Sequence, residues 1–296
     1  MTAKGRRKAE ASASTPTVNP DLWRLILADR WPTVSGPGFL LVHGDCLDVL
    51  AAMPARSCAV VLTDPPYEAE AHTEQRRQKG KVRGPANVDA WRSVDEAPLA
   101  FAAITPADRS AVAGHIARVA AHRAIACCQA EAVAAWRDAF NEGGMPYRRA
   151  IPWVKPDAMP SLHGRYPGQS FESIVLAQHA SSPAAPVGGK ARAYEFTRAR
   201  AGQPGGPGGT QAPHPTTKPL PLMLAMVEDF TEAGDLVVDP YCGSATTGIA
   251  CIQRGRLFVG IEKDAEFFAV ACRRMRGEEA KPKECQPQLF AAIGGS

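Results

Sequence analysis

Leu62-Thr63-Asp64-Pro65-Pro66-Tyr67 decides the fold class of this chain. It closes the apolar run Ala59-Val60-Val61-Leu62, which reads as a strand buried on both faces of a parallel sheet. The run stops at Asp64, and two prolines then forbid both a helix and further ladder pairing. The chain is therefore pinned in an extended turn at the carboxyl end of a strand, where open α/β sheets bind their ligands. Asp64 supplies a carboxylate, Pro65 a carbonyl with no helical or sheet partner, and Tyr67 an aromatic face. Two acceptors and a stacking plate suit a planar group that carries an exocyclic amine. Asp-Pro-Pro is also ordinary turn chemistry, in which Asp opens the turn and Pro fixes φ, so the stretch alone leaves a structural reading open.

Working outward, the same apolar-run-then-turn grammar recurs along the chain. Strands are expected at about 39–43, 59–63, 124–128, 149–153, 173–177, 236–239 and 257–261, seven in all, with helices at 21–30, 46–53, 107–122, 131–140, 249–254 and 265–275 and a further one after Pro219. Alternating strands and helices point to a doubly wound, Rossmann-like α/β sheet. Residues 68–106 lack periodicity and hold a basic run at 76–83, which carries Arg76, Arg77, Lys79, Lys81 and Arg83 and no acid. Residues 178–212 are rich in Pro, Gly and Ser, with Lys190, Arg192, Arg198 and Arg200 interleaved with Tyr194 and Phe196. Both stretches read as loops that contact nucleic-acid phosphates, the second as a target-recognition insertion. Residues 1–20 read as a disordered tail and 278–296 as a polar tail around one catalytic domain at 21–277.

Composition bounds the partners. In 296 residues the hydrophobic share is 45% and the charged share 22%, with a net charge of +4; these are globular values, and the charge is too mild to announce nucleic acid by itself. No apolar run is long enough for a bilayer, and Lys4, Arg6, Arg7 and Lys8 precede no apolar core, so neither a membrane span nor a secretory signal is expected. None of the eight cysteines has C-x-x-C spacing. They read as reduced, mostly buried thiols of a cytoplasmic protein that binds no metal.

A second turn, Asp239-Pro240-Tyr241-Cys242-Gly243-Ser244-Ala245-Thr246-Thr247-Gly248, follows the strand at 236–239. Gly243, Ala245 and Gly248 have the spacing of a nucleotide-binding turn, and Glu262 lies about twenty residues on, where a carboxylate can grip a ribose diol. Asp239 just before the glycines repels a pyrophosphate and attracts a sulfonium. That favours S-adenosyl-L-methionine over a nicotinamide dinucleotide, the rival that would make the chain an oxidoreductase.

Together these elements resemble the β-class amino DNA methyltransferases of bacteria and phages, with the motifs in circularly permuted order. Gly44 to Leu47, Thr63 to Tyr67, His214 to Pro219, Asp239 to Gly248 and Gly260 to Glu262 match the family's elements over about residues 38–276. The family's usual second glycine is Ala245 here. The resemblance implies a sheet that binds S-adenosyl-L-methionine and a site-specific DNA adenine-N6 methyltransferase, working as a homodimer on double-stranded DNA. It implies that Asp64 and the Pro65 carbonyl accept hydrogen bonds from adenine N6, with Pro66 shaping the turn, and that Tyr67 stacks on the flipped base. For the cofactor it implies Asp45 and Cys46 at the adenine and Glu262 with Lys263 at the ribose. Asp239, Tyr241, Cys242, Gly243, Ser244, Ala245 and Thr246 would hold the methionine part, beside Asp64, with His214, Thr216 and Lys218 against the other side. The family's N4-cytosine members usually carry Ser at the position of Asp64, so adenine leads over cytosine. A regulator that has kept the fold without the chemistry is disfavoured by the intact Asp-Pro-Pro-Tyr.

Overall fold

The computed structural model describes residues 27–67, 103–158, 167–198 and 217–277. β3 (Cys58–Thr63) is buried at every position, as expected of a strand covered on both faces. Its side chains alternate: Val61 enters one apolar core, Val60 and Leu62 the other. β2 (Phe39–His43) behaves likewise, with Leu40 and Val42 on one side and Phe39 and Leu41 on the other. β8 (Leu236–Asp239) and β9 (Leu257–Glu262) complete a parallel block. β4 (Ala120–Cys128) extends it beside β3. β6 (Phe171–Gln178) and β5 (Tyr147–Val154) then run antiparallel.

One layer of helices covers the first face: α1 (Cys46–Ala52), α2 (Pro106–Val119) and α3 (Val133–Glu142). The other face is covered by α4 (Leu220–Phe230), α5 (Thr246–Gln253) and α6 (Ala265–Met275). This is the doubly wound arrangement expected.

Among the described residues the sheet has nine strands, with β1 (Thr33–Gly36) and β7 (Tyr194–Glu195) at its edges, in the order β1-β2-β9-β8-β3-β4-β6-β5-β7. All seven expected strands are present; the additions are the edge pieces β1 and β7. Each is too short for its periodicity to stand out from a turn. The expected helix over 107–122 ends at Val119, and Ala120 turns directly into β4 without a loop. His122 therefore lies in a strand. Helix-forming alanines gave way there because Ala120 pairs with Cys58 and Arg123 with Val60, a tertiary override of local propensity. Of the expected helix at 21–30, only residues 27–30 fall within the described residues. No helix among them is long and apolar enough to cross a membrane. Seven cysteines are described, all buried, and among the described residues none is joined in a disulfide.

Candidate active site

Strand order brings four carboxylates to one edge of the sheet. β2, β9, β8 and β3 are consecutive neighbours and run parallel, so their carboxyl ends present Asp45, Glu262, Asp239 and Asp64 in that order, Glu262 and Asp239 as the last strand residues and Asp45 and Asp64 just beyond. Two of the expected sites thus lie side by side although far apart in sequence.

Asp239 is 2% exposed. Its Oδ1 accepts from the Thr63 hydroxyl at 2.8 Å and from the Tyr241 amide at 3.1 Å, and its Oδ2 from the Thr247 hydroxyl at 2.7 Å. Burial pushes its carboxyl up to about 7 despite these three donors. The residue ties β8 to the turn and to β3, a role the sequence reading did not foresee for it.

The turn itself is left-handed at Gly243 (φ 50°) and Ala245 (φ 60°). Ala245 pays for its Cβ in strain of about 1–2 kcal/mol, which fits its place where the family has glycine. A Cβ on Gly243 would meet nothing within 4 Å, so the turn has an open side. Glu262 fixes the opposite flank: its Oε2 accepts from the Gly243 amide and its Oε1 from the Asp264 amide, both at 2.8 Å. Burial raises the Glu262 carboxyl. From beneath, the buried Arg274 donates Nη1 to the Ser244 carbonyl, to Ser244 Oγ at 2.8 Å and to Thr246 Oγ1 at 3.1 Å. Tyr241, Cys242 and Thr246 lie in or just after this turn, Cys242 and Thr246 buried. Gly248 is small for a packing reason, since a Cβ there would lie 2.6 Å from the Phe258 ring.

Asp45 caps α1 by accepting from the Leu47 amide at 2.9 Å, and Lys263 Nζ lies 2.8 Å from its other oxygen. Burial would raise the Asp45 carboxyl, but Lys263 and the Leu47 amide together hold it below the usual range. Cys46 is buried, which pushes its thiol up to about 11. His43 stacks on Phe268 with ring centroids 5.0 Å apart and bonds the Lys263 carbonyl at 3.1 Å, a packed histidine as its strand position suggests.

At the end of β3 lies a second constellation. Lys218 Nζ is 2.7 Å from Asp64 Oδ2, 3.0 Å from the Tyr67 hydroxyl and 3.5 Å from Glu172 Oε2. The Tyr67 hydroxyl donates to Glu172 Oε2 at 2.5 Å. Lys155 pairs with Glu172 Oε1 and lies over the Trp153 ring, 4.9 Å from its centroid. Trp153 is held in turn by its indole N–H on the Phe196 carbonyl at 2.9 Å. Burial raises Asp64 against the pull of Lys218. Burial would raise Glu172 too, but Lys218 and Lys155 outweigh it and bring the carboxyl down to about 2. Asp64 Oδ1 is buried and has no hydrogen-bond partner in the described structure. An orphaned buried acceptor is costly, and this one lies in a strand-end turn three residues before Tyr67. Pro65 is buried and Pro66 partly so.

Lys218, expected on the cofactor's flank, binds Asp64 and Tyr67. The sequence reading missed Glu172, because a single acid near the start of an apolar strand has no motif around it; only the β5–β6 pairing, which sets it opposite Trp153, brings it to the site. Arg192 and Arg198, expected on phosphates, are engaged by carboxylates. Arg192 Nε donates to Asp229 Oδ2 at 2.6 Å, and that carboxylate also takes the Tyr194 hydroxyl at 2.6 Å. Arg198 holds Asp157 through its carbonyl at 2.8 Å and its carboxylate at 3.6 Å. Lys190 is exposed. Arg76, Arg77, Lys79, Lys81, Arg83, Arg200, His214 and Thr216 lie outside the described residues.

The model of a protein family described as DNA methylase (N6_N4_Mtase) matches residues 58–273. The type II methyltransferase M2.MboI of Moraxella bovis is 33% identical over 143 residues, which are 46% of this chain and 52% of that protein. The chain spans about half the length of the curated relatives it matches. Among solved structures, the M1.HpyAVI–SAM complex superposes with a TM-score of 0.55 at 22% identity, over 80% of this chain and 98% of that one. The cytosine-N4-specific PvuII DNA methyltransferase gives 0.57 at 15% identity, over 80% and 86%. At such identities the likeness is one of fold.

Proposed function

The chain belongs to the DNA methylase family whose model spans its residues 58–273, and from that premise we propose that it transfers a methyl group from S-adenosyl-L-methionine to N6 of an adenine flipped out of duplex DNA. The observation that carries this reading is the orphaned Asp64 Oδ1, an acceptor at the end of β3 beside the strand that leads into the glycine turn. S-adenosyl-L-methionine, when bound, supplies the electrophilic methyl group. The residues fit it: the turn at 241–246 has an open side at Gly243, and carboxylates flank it on neighbouring strands. Glu262 and Asp45 would meet the ribose and the adenine, and Asp239 keeps the turn in shape.

On the base side, Asp64 and the Pro65 carbonyl would accept the two N6 hydrogens, drawing the nitrogen lone pair out of ring conjugation and towards the methyl group. The raised Asp64 carboxyl suits it to take the proton that the methylated amine sheds. Tyr67, its hydroxyl fixed on Glu172, offers its ring to the base. Orientation and electrostatics carry the transfer. An aspartate in place of the serine usual in the N4-cytosine members favours adenine. The segments around 76–83 and 178–212 serve duplex contacts, and two copies pair to cover a full site in the cytoplasm.

Sequencing with modified-base detection, on DNA from cells that express the chain, tests the reading. N6-methyladenine in one sequence context is the expected result; N4-methylcytosine would reassign the base, and no new modification would overturn the activity. Light scattering at micromolar concentration tests the dimer, which a monomer alone would rule out.

A further inference from the structure

We infer that Lys218 is a positioning residue: by holding Asp64 Oδ2 it leaves Oδ1 as the one acceptor this carboxylate offers to the exocyclic amine of the base. The inference rests on the proposed role of Asp64, and it moves Lys218 from the cofactor's flank, where the family resemblance puts it, to the base side of the site. Lys218 is 8% exposed. Its Nζ lies 2.7 Å from Asp64 Oδ2 and 3.0 Å from the Tyr67 hydroxyl, with Glu172 Oε2 at 3.5 Å. Asp64 Oδ1 has no hydrogen-bond partner in the described structure. The two oxygens of one carboxylate are thus unequally engaged.

The fold anchors this lysine. The residue before a proline is held extended, and Pro219 caps α4, its carbonyl accepting from the Met223 amide at 3.2 Å. Tyr67 and Glu172 complete the seat, Glu172 standing on β6 in register with Trp153 of β5. The last torsion of an aspartate side chain is soft, so without a partner on Oδ2 the carboxyl plane would be free to turn. The bond to Lys218 fixes that plane, and with it the direction of Oδ1.

The ammonium also decides whether Oδ1 accepts. A carboxylate only accepts, whereas a protonated carboxyl carries an O–H donor that would meet the amine head-on. Burial favours the protonated form of Asp64 and the Glu172 charge adds to it, while Lys218 and Lys155 favour the carboxylate. Asp239, across the Thr63 bridge, acts in the same sense as Glu172. Tyr67 and Cys127 beside Asp64 are kept neutral by burial. Lys218 is bonded to Asp64 directly, whereas Lys155 pairs with Glu172. Without Lys218, burial and two like charges would be opposed by Lys155 alone.

The test measures kcat from about pH 5.5 to pH 9.5 for methyl transfer from tritiated S-adenosyl-L-methionine to genomic DNA of a strain that lacks DNA methylation. Lys218→Met keeps the length of the side chain and removes its charge and its donor. Its kcat should fall about tenfold or more at pH 7, with the acidic limb of the profile displaced upward by about one to three pH units. Lys218→Gln keeps a donor for Oδ2 without the charge. Its limb should move as far, but at high pH it should regain more of the wild-type rate than the Met variant does. The dissociation constant for S-adenosyl-L-methionine should stay within about threefold of the wild type in both. A limb that does not move overturns the inference even where kcat falls, and so does a loss carried by weaker cofactor binding, which would return Lys218 to the cofactor. If the Met variant does not fold, the limb and the dissociation constant of the Gln variant decide by the same criteria. A wild-type chain that binds the cofactor but transfers nothing would instead overturn the methylase reading on which the inference rests.

Discussion

The Thr63 hydroxyl donates to Asp239 Oδ1 at 2.8 Å in the buried layer between β3 and β8, across 176 positions of sequence. The two strands pair directly only through Val60 with Val237 and Val61 with Val238. Thr63 immediately precedes Asp64, and Asp239 opens the glycine turn. This side-chain bond therefore joins the base side of the site to the cofactor side. Thr63→Val keeps the shape and removes the donor. It should weaken S-adenosyl-L-methionine binding by about 1 kcal/mol, and Asp239→Ala, which also frees Thr247 and the Tyr241 amide, by about 1–3 kcal/mol. Calorimetric titration measures both; unchanged affinity in both variants would separate the turn from the cofactor.

Asp239 also sets a pH dependence. Its carboxyl lies near 7 in the fold against 3.8 in the open chain, so unfolding lets it release a proton over that interval. Its contribution to stability is complete below pH 4, falls as the pH rises towards 7 and is then constant, a change on the order of a few kcal/mol. Asp239→Asn should flatten that part of the stability curve. Urea melts of both proteins at pH 5 and pH 8 check it, and equal pH slopes would refute it.

Asp64→Ala should reduce methyl transfer to less than a few per cent while S-adenosyl-L-methionine binds within about fivefold of the wild type, a difference of about 1 kcal/mol. Transfer at a tenth of the normal rate or more would take the residue out of its assigned role.

Two glycines near the turn should fail differently. Gly248→Ala puts a Cβ 2.6 Å from the Phe258 ring and 2.9 Å from Met275 Sδ, overpacking that should cost about 1–3 kcal/mol of stability. Gly243→Ala meets open space but keeps φ 50°, a strain of about 1 kcal/mol. The first should appear in thermal melts, the second mainly in cofactor affinity, where the new methyl stands on the open side of the turn. The reverse order would mean the turn is packed from above.

Arg192→Ala leaves Asp229, 5% exposed, with the Tyr194 hydroxyl alone. It should lower stability by about 1–2 kcal/mol, whereas Lys190→Ala should leave the melt unchanged and weaken DNA binding in low salt. If Arg192→Ala melts like the wild type and only DNA binding falls, the arginine belongs with the phosphate contacts.

Where sequence and structure agree, the reason is local. Asp64 and Asp239 each end an apolar run, the Asp264 cap announces α6, and the Gly243–Gly248 spacing marks the nucleotide-binding turn, each signal contained within a few residues. What escaped was made by pairing. Glu172 reaches the site only through the register of β5 with β6, Lys218 only through a contact with Asp64 across 154 positions, and the β4 start at Ala120 only because β3 needs a partner there. Arg192 and Arg198 show the same limit from the other direction. A run of basic residues cannot declare which of them already has a carboxylate, since Asp229 and Asp157 come from distant elements.

The order of the sheet has one more consequence. Asp64, assigned to the base, and the turn at 241–246, assigned to the cofactor, follow the adjacent strands β3 and β8, and adjacent strands stand about 4.8 Å apart whatever their connections do. The separation of these two strand ends is thus set by the backbone itself. Segments outside the sheet can be lengthened or exchanged while the spacing of these two strand ends stays fixed.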